Sequence, residues 1–442
     1  MMTETNFLKL KNQALLFRHD KPSQRIDRLK KIKTWLSQNE DQIIKALKAD
    51  FSKPEFETML TEITPVYSEI NFFIKNLSRW MKDQKVPTPF SLLGHSSVIR
   101  YENKGVVLII SPWNYPFYLA LVPLVTALAA GNTTVIKPSE LTPNTSTLIS
   151  KLVTDCFTED EVMVILGDKS ATENLLTYHF DHVFFTGSTP VGRIIAKACA
   201  EKLIPTTLEL GGKSPTIVDE SADIRLACEK IFWGKFLNRG QTCVAPDYVI
   251  VHKSIEAKFD EEINRLKILH ELEIEGKIIN QNHETRLNAM VQKPLGFFNE
   301  KTFEVKTIRD LNDSTMKDEI FGPVLPILTY ETPEQIDIII NSYDKPLAMY
   351  IFSKNKNFIE RLLKTHTSGG VAINTVIMHL ANPHLPFGGV GASGMGRYHG
   401  WHGFTELSHH RAIIKLNFFK ALSGFVLPPY TPFKLKMIRL IK

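Results

Sequence analysis

Cys243 stands in the stretch Arg239-Gly240-Gln241-Thr242-Cys243-Val244-Ala245-Pro246-Asp247-Tyr248-Val249. A glycine before it and a proline after it keep the stretch out of a helix, which predicts a turn between elements. A thiol in a turn is accessible and can be activated by nearby donors or dipoles, the requirement for a thiolate nucleophile. Cys156, Cys199 and Cys228 fall in amphipathic helical stretches, where cysteine packs as a small hydrophobe. No two of the 4 cysteines are spaced as a C-x-x-C metal or redox pair. Glu209 lies between Leu208 and Leu210 at an expected strand end, just before Gly211-Gly212-Lys213. A desolvated carboxylate there acquires a raised pKa suited to general-base work, whereas a salt-bridged strand-end Glu is the plainer reading. Glu319, in Glu319-Ile320-Phe321-Gly322-Pro323, invites the same two readings.

Gly187-Ser188-Thr189-Pro190-Val191-Gly192 follows an apolar strand-like run and opens a helical stretch. Free N–H groups and a positive dipole end at that helix start suit a pyrophosphate; a tight strand–helix turn without a ligand fits equally well. The G-x-G-x-x-G at Gly389–Gly394 lacks the strand before and helix after that a dinucleotide fingerprint needs, so it reads as a flexible loop. Histidines from His379 to His410 show no H-E-x-x-H or similar pattern and read as solvated loop residues, with no metal site.

These residues need a scaffold, and the hydropathy pattern supplies an α/β one. No residue between Lys104 and Lys137 is charged, long enough on its face for a membrane span. The stretch is punctuated, however: a strand over Val106–Ile110, a two-proline loop over Ser111–Pro116, a helix over Phe117–Ala130 stopped by Gly131, and a strand over Thr133–Ile136. The first ~80 residues read as helices, with Ile26, Leu29, Ile32, Trp35 and Leu36 at helical spacing. Residues 87–94 read as a linker and 96–100 as a short strand. Strands and helices then alternate to Lys202, and a second alternation runs from Pro215 to Thr365, the pattern of parallel sheets.

The chain has 442 residues, 43% of them hydrophobic and 23% charged, which suggests two or three globular domains. Its net charge of +6 is concentrated at the end: from Arg411 to Lys442 there are seven Lys or Arg and no acid. The near-neutral body argues against nucleic-acid binding. The first ten residues lack an apolar signal core, so a reducing, cytoplasmic setting is expected.

Jointly, the motifs resemble the aldehyde dehydrogenase superfamily, nearest its class 3 branch, over residues ~5 to ~430. The resemblance rests on Pro112-Trp113-Asn114-Tyr115-Pro116, Lys137-Pro138-Ser139-Glu140, Phe185-Thr186-Gly187-Ser188, Glu209-Leu210-Gly211-Gly212-Lys213 and Gly240-Gln241-Thr242-Cys243. Glu319-Ile320-Phe321-Gly322-Pro323 and Pro386-Phe387-Gly388-Gly389-Val390-Gly391 complete the set in order. The Ala-Pro-Asp-Tyr after Cys243, and Ser393-Gly394-Met395-Gly396 with Tyr398-His399-Gly400, mark class 3.

The resemblance implies oxidation of aldehydes to carboxylic acids with NAD, or with NADP as the second option. Cys243 would form a thiohemiacetal and then a thioester. The Asn114 amide and the Cys243 N–H would hold the oxyanion, an effect worth ~2.7–4 kcal/mol per donor. Glu209 would activate water, favouring hydrolysis over acyl transfer to coenzyme A. Lys137 and Glu140 would meet the adenosine ribose. Gly187 and Ser188, with Gly192 closing the same turn, would meet the pyrophosphate, and Glu319 and Phe321 the nicotinamide ribose and ring.

The implied fold has a Rossmann-like NAD(P)-binding domain (1–85 and 101–208), a catalytic α/β domain (209–396) and a small bridging element (86–100 and 397–442). The implied assembly is a homodimer. Rival readings are a cysteine esterase and a nucleotide-binding protein without turnover. Residues 294–317 are shorter than in class 3 relatives, and Arg239 stands where a small residue is usual. The basic, apolar tail has two readings, packing across a dimer or weak contact with an anionic membrane surface.

Overall fold

The computed structural model describes residues 2–92, 94–270, 275–291, 303–417 and 427–440. Part of the shortened 294–317 stretch and part of the basic tail therefore lie outside the described residues. Four N-terminal helices come first: α1 Glu4–Phe17, α2 Pro22–Phe51, the short α3 Glu55–Thr58 and α4 Thr64–Trp80, with a π-helical turn Met59–Ile63 before α4. Two strands follow, β1 Gln84–Val86 and β2 His95–Asn103. The first alternation is β3 Val106–Ile110, α5 Tyr118–Ala129, β4 Thr133–Lys137, α6 Pro143–Cys156, β5 Val162–Val164, α7 Lys169–Leu175, β6 His182–Thr186, α8 Thr189–Ala200 and β7 Thr206–Glu209.

The second alternation is β8 Pro215–Val218, α9 Ile224–Phe236, β9 Tyr248–His252, α10 Glu256–His270, α11 Gln281–Asn288, β10 Glu304–Thr307, α12 Ser314–Lys317, β11 Val324–Tyr330, α13 Pro333–Asn341, β12 Ala348–Phe352, α14 Lys356–Thr365 and β13 Gly370–Ile373. The chain closes with β14 Gly394–Met395, α15 Gly400–Glu406, β15 Ser408–Leu416 and α16 Pro432–Leu440.

The strands form three sheets. One, ordered β14-β7-β6-β3-β4-β5, is parallel except for β14. A second, β10-β11-β9-β8-β12-β13, is wholly parallel. The third, β1-β2-β15, is a small antiparallel sheet. Every residue of β3, β4, β6, β8 and β12 is buried because helices cover both sheet faces, which explains their unbroken apolar runs. The uncharged 105–136 segment is thus the centre of a sheet and its covering helix α5, as its punctuation predicts. Among the described residues no helix is long and apolar enough to cross a membrane.

In the first sheet the chain winds outward in both directions from β3, through β4 to β5 and through β6 to β7. Open parallel sheets bind ligands beyond the carboxyl ends of their strands, where the winding direction reverses. The segments following β3, β6 and β7 are 111–117, 187–188 and 210–214.

Candidate active site

Those three segments line a cleft of ≈ 670 Å³, with Pro112, Trp113, Asn114, Gly187, Ser188, Glu209 and Gly211 among its walls. Its other wall comes from segments that enter the second sheet: Cys243 before β9, Glu319 and Phe321 before β11, and Ser342–Lys345 before β12. The cleft therefore lies between the carboxyl edge of one sheet and the amino edge of the other.

The backbone before Cys243 is left-handed at three successive residues, Asn238 (φ 53), Arg239 (φ 57) and Gly240 (φ 72). A left-handed non-glycine residue costs about 1–2 kcal/mol, so this turn persists only because its surroundings fix it. The Asn238 N–H donates to Glu57 Oε1 at 3.0 Å, and its side-chain amide donates to the carbonyls of Asn114 (2.8 Å) and Gln241 (3.2 Å). Gln241 donates to the carbonyls of Asn238 and Lys277 and accepts from Ile279 N–H, each at 3.0 Å. Gly240 has no substitute, since a Cβ there would overlap the Gly322 carbonyl. Cys243 emerges from this turn partly buried, as a free thiol. Burial pushes the thiol up to about 12, and the carboxyls of Glu319 and Glu209 add to it. The thiol lines the cleft, as a turn position allows, but burial disfavours its thiolate.

Asn114 is buried and directs its amide Nδ2 at Gln241 O, 3.1 Å away, so the 111–117 loop and the cysteine loop are joined at this residue. Glu209 ends β7, and among the described residues neither of its buried carboxyl oxygens has a hydrogen-bond partner. Burial holds its pKa well above the usual carboxyl range, with Arg397 opposing and Glu406 adding. Of the two readings for this residue, the geometry is that of the desolvated carboxyl. Glu319 is pushed up to about 8, first by burial and then by Asp247, while Gly212 N–H, Lys213 and Arg286 pull the other way. A Cβ on Gly211 would overlap the Glu319 carboxyl, so glycine there lets the two segments meet.

The sequence matches the model of the aldehyde dehydrogenase family over residues 10–297 and 304–413. The chain belongs to this family. It is 42% identical over 425 residues to 4,4'-diaponeurosporen-aldehyde dehydrogenase of Staphylococcus aureus, covering 92% of each chain. It is 40% identical over 404 residues to the dimeric NADP-preferring aldehyde dehydrogenase of Mus musculus, covering 88% of this chain and 89% of that one. In structure it resembles the substrate-bound state of Staphylococcus aureus AldH, with a TM-score of 0.94 at 40% identity over 100% of this chain and 99% of that one. The enzyme is an NAD(P)-dependent aldehyde dehydrogenase similar to the class 3 branch, and it oxidises aldehydes to carboxylic acids.

The cleft of this aldehyde dehydrogenase fits a dinucleotide. Gly187, Ser188, Thr189 and Pro190 line it at the start of α8, so the positive end of a 12-residue helix faces the cleft, an environment suited to an anionic group. Phe321, left-handed at φ 44, packs edge-on against Trp113 with ring centres 5.4 Å apart. Lys137 lies outside these walls, at the carboxyl end of the neighbouring strand β4, where it pairs with Glu140 at 2.7 Å. Gly192 is not brought to the cleft: it lies within α8, and a Cβ there would strike Leu210, so its role is close helix–strand packing.

Two sequence readings are corrected. Residues 389–394 are not a flexible loop: Ser393 O accepts from Leu210 N–H, β14 pairs with β7 opposite Glu209, and Arg397 donates to the Gly389 carbonyl. Nor are all the late histidines solvated. His399 is buried with its ring 3.1 Å from Tyr118 OH, and burial holds both His399 and His379 down to about 4. Among the described residues no group of three or more His, Cys, Asp or Glu could hold a metal ion.

Sequence reasoning missed the groups that hold Glu319 in place. Lys213 pairs with Asp247 at 2.6 Å and donates to Thr315 O and Asp318 O; Asp247 accepts from Ile320 N–H; Arg286 donates to Glu319 O and Ile320 O. Lys213 and Asp247 each sat inside a motif already singled out, and that placement was the only signal.

Proposed function

We propose that Cys243 is the nucleophile, Asn114 and the Cys243 N–H the oxyanion donors, and Glu209 the general base. The convergence of these three residues with Glu319 on one cleft carries this reading. Asn114 spends one amide hydrogen on Gln241 O, which aims the second at an oxyanion formed on the Cys243 side. Among the described residues neither Glu209 carboxyl oxygen has a hydrogen-bond partner, so this carboxylate is free to take a proton from water. The nicotinamide dinucleotide, when bound, supplies the hydride acceptor. Asn114 steadies the thiohemiacetal oxyanion, and Glu209 draws a proton from the water that attacks the thioester, releasing the acid and restoring the thiol.

Lys137 and Glu140 bind the adenosine ribose, Gly187 and Ser188 the pyrophosphate, and Glu319 and Phe321 the nicotinamide end. Glu140 beside the ribose favours NAD over NADP by repelling a 2′-phosphate. Residues 1–85 and 101–208 make up the NAD(P)-binding domain and 209–396 the catalytic domain. Residues 86–100 and 397–442 bridge two copies into a cytoplasmic homodimer, a reading supported by the exposed outer strand β15. The basic tail adds at most weak membrane contact.

The test is NADH formation by absorbance with short aliphatic, long aliphatic and aromatic aldehydes, with NADP run alongside. Cys243→Ala should abolish turnover and leave nucleotide binding intact. Ester cleavage without any nucleotide-dependent aldehyde oxidation would favour the esterase reading instead.

A further inference from the structure

Behind Asn114 lies a buried ion pair that the chemistry above does not use. After α2 the chain reverses through Ser52, left-handed at φ 54, which turns Lys53 inward to 1% exposure. The π-helical turn Met59–Ile63 carries Glu62, which is fully buried. Such turns insert an extra residue into a helix and are frequent at functional sites.

Lys53 Nζ lies 2.6 Å from Glu62 Oε1, 3.4 Å from the Asn114 carbonyl and 4.4 Å from the Tyr115 ring centre. Glu62 Oε2 accepts from the N–H groups of Phe117 (3.2 Å) and Tyr118 (2.9 Å), the otherwise unpaired donors at the start of α5. The pair therefore grips the loop at both ends, residue 114 by its carbonyl and residues 117–118 by their N–H groups. Asn238 shares the Asn114 carbonyl, so the same grip extends to the cysteine turn. A buried ion pair contributes little net stability compared with apolar residues of equal volume, because desolvation offsets its attraction. Stability alone does not account for it.

We propose that Lys53 and Glu62 are positioning residues that hold the Asn114 amide at the point where the oxyanion forms. This rests on the reading of Asn114 as an oxyanion donor. The experiment is a mutant cycle on the full-length enzyme that measures kcat, KM for aldehyde and NADH affinity by fluorescence. Asn114→Ala should lower kcat by about 10²-fold. Lys53→Met with Glu62→Leu, which leaves no lone buried charge, should lower kcat by about tenfold or more. KM and NADH affinity should stay within about threefold, a split that general loosening of the fold would not give. In the Asn114→Ala background the same pair of changes should cost less than about twofold, because the group being positioned is gone.

Wild-type kcat in the double variant, or the full loss repeated in the Asn114→Ala background, would overturn the proposal. Should the double variant not fold, Glu62→Gln is taken through the same cycle with the same two criteria. Undiminished turnover by Asn114→Ala alone would instead remove the oxyanion reading, and the positioning role with it.

Discussion

In the nucleotide-free enzyme, Cys243 should be a slow nucleophile near neutral pH. Its thiol is pushed up to about 12 from the ordinary 9.0, mainly by burial. A difference of that size lowers the thiolate fraction by roughly a thousandfold. The more basic thiolate is intrinsically stronger, and a Brønsted coefficient of about 0.4–0.5 returns roughly twentyfold of that. The net expectation is a reaction with an aromatic disulfide reagent about fiftyfold slower than that of a free thiol. The release of coloured thiol is followed by absorbance in a Cys156→Ser background, because Cys156 is also partly exposed. Peptide mass analysis then confirms the site. The rate should climb tenfold per pH unit from about pH 7 to pH 10 without a plateau. Glu319 ionises only near pH 8, and its negative charge then opposes the thiolate. Glu319→Gln should therefore leave the neutral arm unchanged and raise the rate only above about pH 8. A plateau near neutral pH, or a slower alkaline arm in Glu319→Gln, would refute the reasoning, since either requires a thiolate stabilised by its site.

Glu209→Gln should release one equivalent of NADH per site in a rapid-mixing experiment and then stall at the thioester; steady turnover would assign the base elsewhere. Glu69, buried in α4 with Gly400 N–H donating to it at 2.7 Å, is pushed up to about 7, chiefly by burial. A folded-state pKa above the unfolded value means its contribution is intact below about pH 4.5 and is lost as pH rises through about 7. Glu69→Gln keeps an acceptor for Gly400, so it should match wild type near pH 4 in urea unfolding and exceed it by up to roughly 3 kcal/mol near pH 8. A gain that does not grow with pH would show Glu69 to be satisfied as a carboxylate. Gly240→Ala forces a Cβ against the Gly322 carbonyl in a left-handed turn, so kcat should fall by about 10²-fold, with NADH affinity little changed by fluorescence titration.

What the sequence reveals and what it hides follow the range of the forces involved. The strand Val106–Ile110 is read to the residue, because burial on both faces demands an unbroken apolar run and nothing distant alters it. Cys243, Glu209 and Asn114 are legible as strings because each lies within three residues of a glycine or proline. Gly240, for one, is fixed by the approach of Gly322. Burial of a polar side chain leaves no such mark. Lys53, Glu62 and Glu69 lie in an N-terminal region with many exposed charges, and only the docking of the 111–118 loop and of Gly400 distinguishes them. His399 is hidden for the same reason, sealed by Tyr118, Phe387 and Tyr398. The left-handed Asn238 and Arg239 contradict local preference outright, and contacts from Glu57 and Asn114, distant in the chain, hold that turn. Local rules therefore identify the reacting groups, whereas their supports are chosen by contacts across the chain. The reactivity of Cys243 belongs to that second class: its sequence neighbours predict an accessible thiol, whereas burial among residues distant in the chain disfavours its thiolate, and the Glu319 and Glu209 carboxyls add to this once they ionise.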